Sequence, residues 1–281
     1  MTGQMLPSIG IMQGRLVPPV KGRIQAFPSE RWRDEFALAQ QAGLQTIEWI
    51  YDLDDAETNP LATDAGIAEI KSLSHQHRIS VRSLCADYFM AETLVRATPA
   101  EKARRHDKLV WLFERCRSCG IDRIVLPFVD ASRISNASDE DEVVESLQAV
   151  LVHLERLSLE LHLETSLSPV DFRRLLERVR HPRIRVNYDS GNSASLDYAP
   201  QAEWAAYGSR IGSFHIKDRI RGGTTVPLGT GDADFAALFK AVQEFGFKGP
   251  WILQVARGEP GDELAWAIRN KMFLLSWLGK I

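Results

Sequence analysis

The sequence predicts a closed barrel of eight parallel β-strands, each followed by a helix. Two observations support this fold: the length of 281 residues, and the alternation of short apolar runs with longer segments of helical period from one end of the chain to the other. One (β/α)8 barrel takes up about 250 residues. We therefore expect a single barrel domain over residues 1–281.

Eight apolar runs have the length and bounding residues of buried strands. They are Ile9–Gln13, Thr46–Ile50, Val81–Cys85, Arg123–Pro127, Leu159–Glu164, Ile184–Asp189, Ile211–Ile216 and Trp251–Val255. Strands that alternate with helices form parallel βα units. An open doubly wound sheet is the alternative, but the segment Gly10–Gly14 after the first strand lacks the GxGxxG pattern of its dinucleotide-binding turn.

Amphipathic segments lie between the strands. Trp32–Ala42, Ala65–His75 and Glu142–Leu157 each place apolar side chains on one helical face. Asp232 or Asp234 is expected to cap the next-to-last helix. Glycines expected just after helices, in the left-handed conformation, are Gly43, Gly120, Gly246 and Gly249.

Charge and hydropathy exclude several classes of function. The chain has 34 Lys+Arg and 37 Asp+Glu, a formal net charge of −3, so the basic surface that binds nucleic acid is not expected. The apolar run Met272–Leu278 is much shorter than the ~20 residues that span a bilayer. Met1–Val17 lacks the charged start and apolar run of a signal peptide. We expect a cytoplasmic protein that binds neither membrane nor nucleic acid.

The cysteines do not indicate a disulfide or a zinc site. There are three, and Cys116 and Cys119 form a CxxC late in a helical stretch that Gly120 ends. No second pair completes a zinc site. We expect both cysteines to pack as small apolar residues.

Four late strands end on side chains that can bind a metal ion. Glu164, Asp189, His215 and Gln254 hold the same relative position in four consecutive βα units. Polar residues at the carboxyl ends of barrel strands face the substrate. Two carboxylates, an imidazole and an amide oxygen suit one divalent ion such as Mn, Mg, Co or Zn. Each residue alone would be a cap or an ordinary polar partner, and the repeated position is what indicates a site.

Motifs along nearly the whole chain are similar to those of a known family. They are Gly10-Ile-Met-Gln-Gly-Arg-Leu16, Phe27-Pro-Ser-Glu-Arg-Trp32, Ile47-Glu-Trp-Ile50, Leu163-Glu-Thr165, Tyr188-Asp-Ser-Gly-Asn192, Phe214-His-Ile-Lys-Asp218, Leu228-Gly-Thr-Gly-Asp232 and Ile252-Leu-Gln-Val-Ala-Arg-Gly258. In this order they resemble the sugar (phosphate) isomerase/epimerase family of the xylose-isomerase-like TIM barrels. The resemblance implies a divalent metal at the carboxyl-end mouth of the barrel and reversible chemistry on a ketose or aldose, free or phosphorylated.

One position departs from the family pattern. Family members that epimerise use one glutamate on the fifth strand and a second on the eighth, whereas this chain has Gln254 on the eighth. An amide oxygen can bind a metal, but it cannot accept and return a proton. With Glu164 as base and a metal stabilising an enediolate, aldose–ketose isomerisation is the expected reaction. The pair of glutamates that epimerises substrates in this family is therefore incomplete in this chain.

Further polar residues are expected to complete the site. Lys217 lies two residues after His215, on the same side of the strand, and is predicted to act as a second acid or to hold a substrate oxygen. Five others are predicted to bind substrate, the arginines through a phosphate or carboxylate: Arg15, Glu48, Asp87, Asn192 and Arg257. A structural ion pair is the alternative for each of the charged residues in this set.

Other functions stay open from sequence alone. A metal-dependent dehydratase or lyase acting on a keto-sugar or inosose would use the same ligands. A catalytically silent sugar-binding barrel would explain Gln254 as a decayed site. DNA-repair endonucleases of the superfamily need more histidine and acidic ligands, and of seven histidines only His215 ends a late strand. The expected partner is a small sugar or sugar phosphate, and a homo-oligomer is left open.

Overall fold

Eight parallel strands close into a barrel in the computed structural model, which describes residues 8–280. A two-stranded antiparallel hairpin, formed by Asp218–Arg219 and Thr225–Val226, lies outside the barrel. The strands are β1 (Ile9–Met12), β2 (Thr46–Ile50), β3 (Ser80–Cys85), β4 (Arg123–Phe128), β5 (Glu160–Thr165), β6 (Ile184–Asp189), β7 (Ile211–Ile216), β8 (Asp218–Arg219), β9 (Thr225–Val226) and β10 (Trp251–Leu253). Their order around the barrel is β1-β10-β7-β6-β5-β4-β3-β2. The predicted (β/α)8 barrel is confirmed.

The predicted strands match the observed ones closely. The second, sixth and seventh agree residue for residue, and the others differ by one or two residues at an end. The eighth barrel strand ends at Leu253, so Gln254 lies just beyond it. Residues 1–7, which begin the segment Met1–Val17, and residue 281 lie outside the described part of the chain.

Helices surround the barrel. They are α1 (Asp34–Gln41), α2 (Asp64–His77), α3 (Tyr88–Ala91), α4 (Pro99–Cys119), α5 (Ala137–Leu157), α6 (Pro169–Val179), α7 (Ser190–Ser195), α8 (Pro200–Tyr207), α9 (Phe235–Phe245) and α10 (Glu263–Leu278). Helix α5 begins earlier than predicted because Asn136 caps it, accepting the Asp139 N–H at 3.0 Å. Asp234 caps α9 through the Ala237 N–H. No helix within residues 8–280 has the length and apolar character needed to cross a membrane.

Three of the four predicted helix-ending glycines adopt the left-handed conformation, with φ of 67°, 96° and 65°: Gly43, Gly120 and Gly246. The prediction for Gly249 was wrong, because this residue precedes β10 and its φ is not positive. A Cβ at Gly249 would lie 2.3 Å from the Phe247 ring and 2.8 Å from the Gly212 carbonyl oxygen. Close packing, rather than backbone conformation, therefore requires this glycine.

Cys116 and Cys119 are buried on α4, and neither forms a disulfide. Burial raises the pKa of both thiols, that of Cys119 to about 11. A thiol with a raised pKa is a poor nucleophile and a poor metal ligand at neutral pH. The structure agrees with the expected packing role.

The strand register brings the ends of the late strands to one level. Asp189 on β6 pairs with His215 on β7. On the next strand Ile252 pairs with His215, and the Gln254 N–H donates to the Ile216 carbonyl oxygen. The polar side chains that follow these strands thus meet at the carboxyl-end mouth of the barrel.

A buried carboxyl group fixes the loop between β1 and α1. Glu35 is fully buried, and its Oε1 accepts the Gly14 N–H at 2.7 Å and the Leu16 N–H at 3.3 Å. Its Oε2 has no hydrogen-bond partner among residues 8–280. Burial raises the pKa of Glu35 to about 8, although both amides and two nearby arginines lower it. The folded protein therefore holds this group protonated at neutral pH.

This raised pKa predicts a pH-dependent stability that Glu35→Gln removes. Between pH 4.5 and about 8 the unfolded chain ionises Glu35 while the folded chain keeps the proton, so the free energy of unfolding falls as pH rises. The contribution is at most about 1.4 kcal/mol per pH unit. Glutamine keeps an accepting oxygen but does not titrate, so urea unfolding of Glu35→Gln should lack this slope.

The control is Glu30→Gln, the same change at an exposed position of the same loop. It should follow the wild type at each pH. A stability difference between Glu35→Gln and wild type that stays constant from about pH 5 to about pH 8 would contradict the assignment.

Candidate active site

Three buried side chains meet where β5, β6 and β7 end. One ligand atom from each of Glu164, Asp189 and His215 lies within 4.8 Å of the other two. His215 Nδ1 is 2.9 Å from Glu164 Oε2 and 4.0 Å from Asp189 Oδ2. Ligands that share one ion at about 2.1 Å lie no more than about 4.2 Å apart. These atoms are therefore close to the positions that a single divalent ion requires.

Glu48 binds the far nitrogen of His215. The distance from His215 Nε2 to Glu48 Oε1 is 2.6 Å, and both side chains are fully buried. Glu48 is the third residue of β2 and does not end that strand. With Nε2–H donating to Glu48, Nδ1 faces Glu164 and Asp189. A carboxylate on the far nitrogen is the usual support of a metal-binding histidine.

The two flanking carboxylates control the charge of His215. Burial alone would lower the pKa of the imidazole, but the charges and hydrogen bonds of Glu48 and Glu164 outweigh it and raise the pKa to about 10. Burial likewise favours the neutral form of Glu48, and His215 reverses this and lowers its pKa. In the metal-free protein a proton on His215 therefore supplies the positive charge that compensates the carboxylates.

Two asparagines hold Glu164. Asn187 Nδ2 donates to Glu164 Oε2 at 2.8 Å, and Asn192 Nδ2 donates to Oε1 at 2.7 Å. Arg219 Nη1 in turn donates to Asn192 Oδ1 at 2.9 Å. The sequence interpretation missed Asn187, although it lies two residues before Asp189 on β6 and therefore on the same face. The carboxylate is fixed in orientation through both of its oxygens.

These contacts keep Glu164 ionised. Burial would raise its pKa, but the hydrogen bond and charge of His215, the charge of Lys217 and the Asn187 amide together lower it. Glu164 is therefore a carboxylate at neutral pH, as both a ligand and a base require.

A chain of hydrogen bonds behind Asn187 fixes the direction of its amide. Because its NH2 group faces Glu164, its carbonyl oxygen must accept the proton of Ser213 Oγ, at 2.7 Å. His162 Nδ1 lies 2.7 Å from the same Oγ, and His162 Nε2 lies 3.0 Å from Glu160 Oε2. The barrel interior thereby orients Glu164 from below.

Asp189 uses one oxygen for the backbone and one for Lys217. Its Oδ1 accepts the N–H groups of Gly191 and Asn192, each at 2.9 Å, at the start of α7. Its Oδ2 accepts from Lys217 Nζ at 2.7 Å. A Cβ at Gly191 would lie 2.6 Å from Lys217 Cγ, so the glycine leaves the space through which this side chain reaches the site.

The residue after Lys217 closes a different loop. Asp218 is fully buried and accepts the N–H groups of Gly229, Gly231 and Ala233 at 2.9, 2.9 and 3.0 Å. The backbone donors of this glycine-rich turn are therefore used by a carboxylate of the chain itself.

Gln254, which follows β10, has a hydrogen-bonded amide nitrogen and, among the described residues, an unpartnered amide oxygen. It is 5% exposed, and its Nε2 donates to Gln25 Oε1 at 3.0 Å. Its Oε1 is buried and has no hydrogen-bond partner among the described residues. Buried polar atoms in folded proteins are mostly hydrogen-bonded, and a bound ion is one way to satisfy such an oxygen. The amide oxygen is thus available as a fourth ligand.

Arg15 and Arg257 hold the loop between β1 and α1. Arg15 Nε donates to the Val255 carbonyl oxygen at 2.9 Å, and its Nη1 donates to that of Ile24. Arg257 Nη1 donates to the Val17 carbonyl oxygen at 2.8 Å. Burial, with the charge of Arg257, lowers the pKa of Arg15 to about 9. Within residues 8–280 both guanidinium groups bind backbone oxygens and neither binds a carboxylate, and Arg15 Nη2 also donates to Gln25 Oε1 at 3.2 Å.

Asp87 follows β3 and is only half-buried. Its Oδ2 accepts from Gln25 Nε2 at 2.7 Å, and its Oδ1 lies 3.1 Å from Cys85 Sγ. Burial raises the pKa of Asp87 to about 6, helped by the charge of Glu164, while the two hydrogen bonds lower it. No sequence motif indicates Gln25, which comes from an irregular loop.

Comparison with known proteins identifies the family. A family profile described as xylose isomerase-like TIM barrel matches residues 36–274. The chain belongs to this family. The match confirms the resemblance that the ordered motifs indicated.

Three individual proteins are similar to this chain over most of its length. A probable L-ribulose-5-phosphate 3-epimerase, UlaE, from Mycoplasma pneumoniae is 24% identical over 244 residues, which cover 82% of this chain and 79% of the relative. A solved L-ribulose 3-epimerase has a TM-score of 0.77 at 18% identity, covering 97% and 94% of the two chains. The IOLI protein, solved with a bound zinc atom, has a TM-score of 0.76 at 16% identity, covering 96% and 98%. The solved structures agree with the barrel fold.

Proposed function

We propose that the chain is a divalent-metal-dependent isomerase or epimerase that acts on a ketose or aldose, free or phosphorylated. The observation that carries the proposal is the buried cluster of Glu164, Asp189 and His215. Gln254, which follows the strand β10 next to β7, adds an oxygen without a partner among the described residues. The names of two similar proteins, both ribulose 3-epimerases, support the same class of substrate.

The donor set suits a hard or borderline divalent ion. Glu164 and Asp189 supply carboxylate oxygens, His215 supplies Nδ1 once its proton is displaced, and Gln254 supplies Oε1. A bound ion would polarise the substrate carbonyl group and stabilise the negative charge of an enediolate. Mn, Mg, Co and Zn all remain suitable on this ligand set.

Glu164 is proposed to remove the proton from the carbon next to the carbonyl group. The amides of Asn187 and Asn192 fix its direction, and its lowered pKa keeps it ready to accept. Lys217 Nζ donates a hydrogen bond to Asp189 Oδ2. We propose that Lys217 either donates a proton to a substrate oxygen or holds that oxygen by a hydrogen bond. Positioned acid–base groups of this kind contribute roughly 10²–10⁴-fold to rate.

The contacts of the remaining predicted residues suggest distinct roles. We propose that Glu48 positions His215 and that Asn192 positions Glu164, rather than either binding substrate directly. Arg15 and Arg257 would shape the mouth by holding the loop between β1 and α1. Asp87 is half-buried and remains the proposed contact to substrate.

The metal site predicts a graded loss of metal in two variants. Protein purified without chelators should contain near-stoichiometric divalent metal by elemental analysis, and His215→Ala should lose it. Glu48→Gln keeps the ligand but weakens its support, and should lower metal affinity about 10–100-fold. The control is His75→Ala, an exposed histidine on α2. Full metal content in His215→Ala, or none in wild type after excess is added, would refute the site.

Catalysis should appear as exchange of a carbon-bound proton with solvent. In D2O the metal-loaded protein should place deuterium next to the carbonyl group of L-ribulose or L-ribulose 5-phosphate, detected by NMR. Glu164→Gln should slow this exchange by about 100-fold or more. Glu177→Gln, an exposed change on α6, serves as control. Unchanged exchange in Glu164→Gln would remove Glu164 as the base, and a product lighter by one water would indicate a lyase instead.

A further inference from the structure

Inversion at a carbon beside a carbonyl group needs a proton removed from one face and another delivered to the opposite face. Glu164 can serve one face only, and Gln254 cannot carry a proton. An epimerase built on this chain therefore needs a second proton-carrying group at the mouth. The choice of this second proton-carrying residue rests on the proposed function.

The other carboxylates near the mouth are already committed to partners. Each is bonded to a cationic side chain, to backbone N–H groups or to several hydroxyl groups: Glu48 to His215, Asp189 to Lys217, Asp52 to the Phe27 N–H, Asp218 to its turn, and Glu203 to Tyr188, Ser193 and Tyr207. Asp87 differs from them. Within residues 8–280 its bonds are to the Gln25 amide and the Cys85 thiol, and it is half-buried rather than sealed.

Asp87 is connected to Gln254, the residue that follows the last barrel strand β10. A single amide group separates it from Gln254, because Gln25 Oε1 accepts from Gln254 Nε2 at 3.0 Å and Gln25 Nε2 donates to Asp87 Oδ2 at 2.7 Å. Asp87 also follows β3, which lies directly across the barrel from β7, the strand of the ligand His215. A substrate held at the cluster would lie between the metal ligands and Asp87.

The Gln25 amide occupies a place that a substrate hydroxyl fits. It accepts two hydrogen bonds, from Gln254 Nε2 and Arg15 Nη2, and donates one to Asp87, which is the capacity of an O–H group. The loop that carries Gln25 is held at Ile24 by Arg15 and Arg257. The glutamine side chain has three rotatable bonds, so it can leave this place without moving the loop.

We propose that Asp87 is the second proton-transfer residue, and that a substrate hydroxyl replaces the Gln25 amide between Gln254 and Asp87. Glu164 takes the carbon-bound proton, and its electron pair stays with the substrate. The Asp87 carboxyl group then gives its proton to the opposite face of the same carbon, leaving Asp87 ionised and Glu164 protonated. Proton exchange with water restores both groups. The pKa of Asp87, raised to about 6, lets both of its forms be populated near neutral pH.

The test is Asp87→Asn, which keeps the shape and an accepting oxygen but carries no proton. With L-ribulose or L-ribulose 5-phosphate in D2O, wild type should label the reacting carbon and invert it. Asp87→Asn should still label that carbon through Glu164 but lose inversion about 100-fold or more. Metal content and melting temperature of the variant should match wild type.

Asp130→Asn is the matched control, the same change at an exposed residue that follows the neighbouring strand β4. It should label and invert like wild type. Inversion at the wild-type rate in Asp87→Asn overturns the inference and leaves the proposed function intact. Loss of both labelling and inversion in a folded, metal-loaded variant also overturns it, because Asp87 then acts in binding. No labelling by wild type on either ketose overturns the proposed function and this inference together.

Discussion

His215 lies between two glutamates at the mouth of the barrel, and the rest of the site depends on this buried arrangement. Glu48 and Glu164 contact opposite nitrogens of the imidazole, at 2.6 and 2.9 Å, with no exposure of the histidine to solvent. Buried charges are costly unless they are paired and hydrogen-bonded. Without a metal, a proton on the imidazole supplies the positive charge that compensates the carboxylates. A divalent ion bound by Glu164, Asp189 and His215 Nδ1 would supply that positive charge instead.

The barrel supports this arrangement from two directions. From the interior, the hydrogen-bonded chain through His162, Ser213 and Asn187 fixes Glu164. From the loop side, Gln25 connects Gln254 with Asp87. The first network is buried, and the second ends on a half-buried carboxylate. This difference suits a base held beside a metal ion on one side and a substrate-facing acid on the other.

The barrel and the four strand-end residues could be predicted because each is a local pattern repeated in order along the chain. Asn187 was within reach, since the two-residue period of β6 places it beside Asp189. The roles of Glu48 and Gln25 could not be predicted, because they depend on contacts between residues far apart in the sequence. Glu48 and His215 are 167 positions apart, and Gln25 and Gln254 are 229 positions apart. Such pairings follow from barrel closure and loop packing. The partners of Arg15 and Arg257 could not be predicted either, because both side chains bind backbone carbonyl oxygens that only the fold brings near them.

The most direct test of this account is a crystal structure of the protein grown with Mn²⁺ and analysed by anomalous diffraction. The account predicts one strong peak about 2.0–2.2 Å from Glu164, Asp189, His215 Nδ1 and Gln254 Oε1, with His215 Nε2 still on Glu48. A metal ion bound elsewhere, or a cluster that stays empty at saturating Mn²⁺ while His215 keeps its contacts to both glutamates, would contradict it.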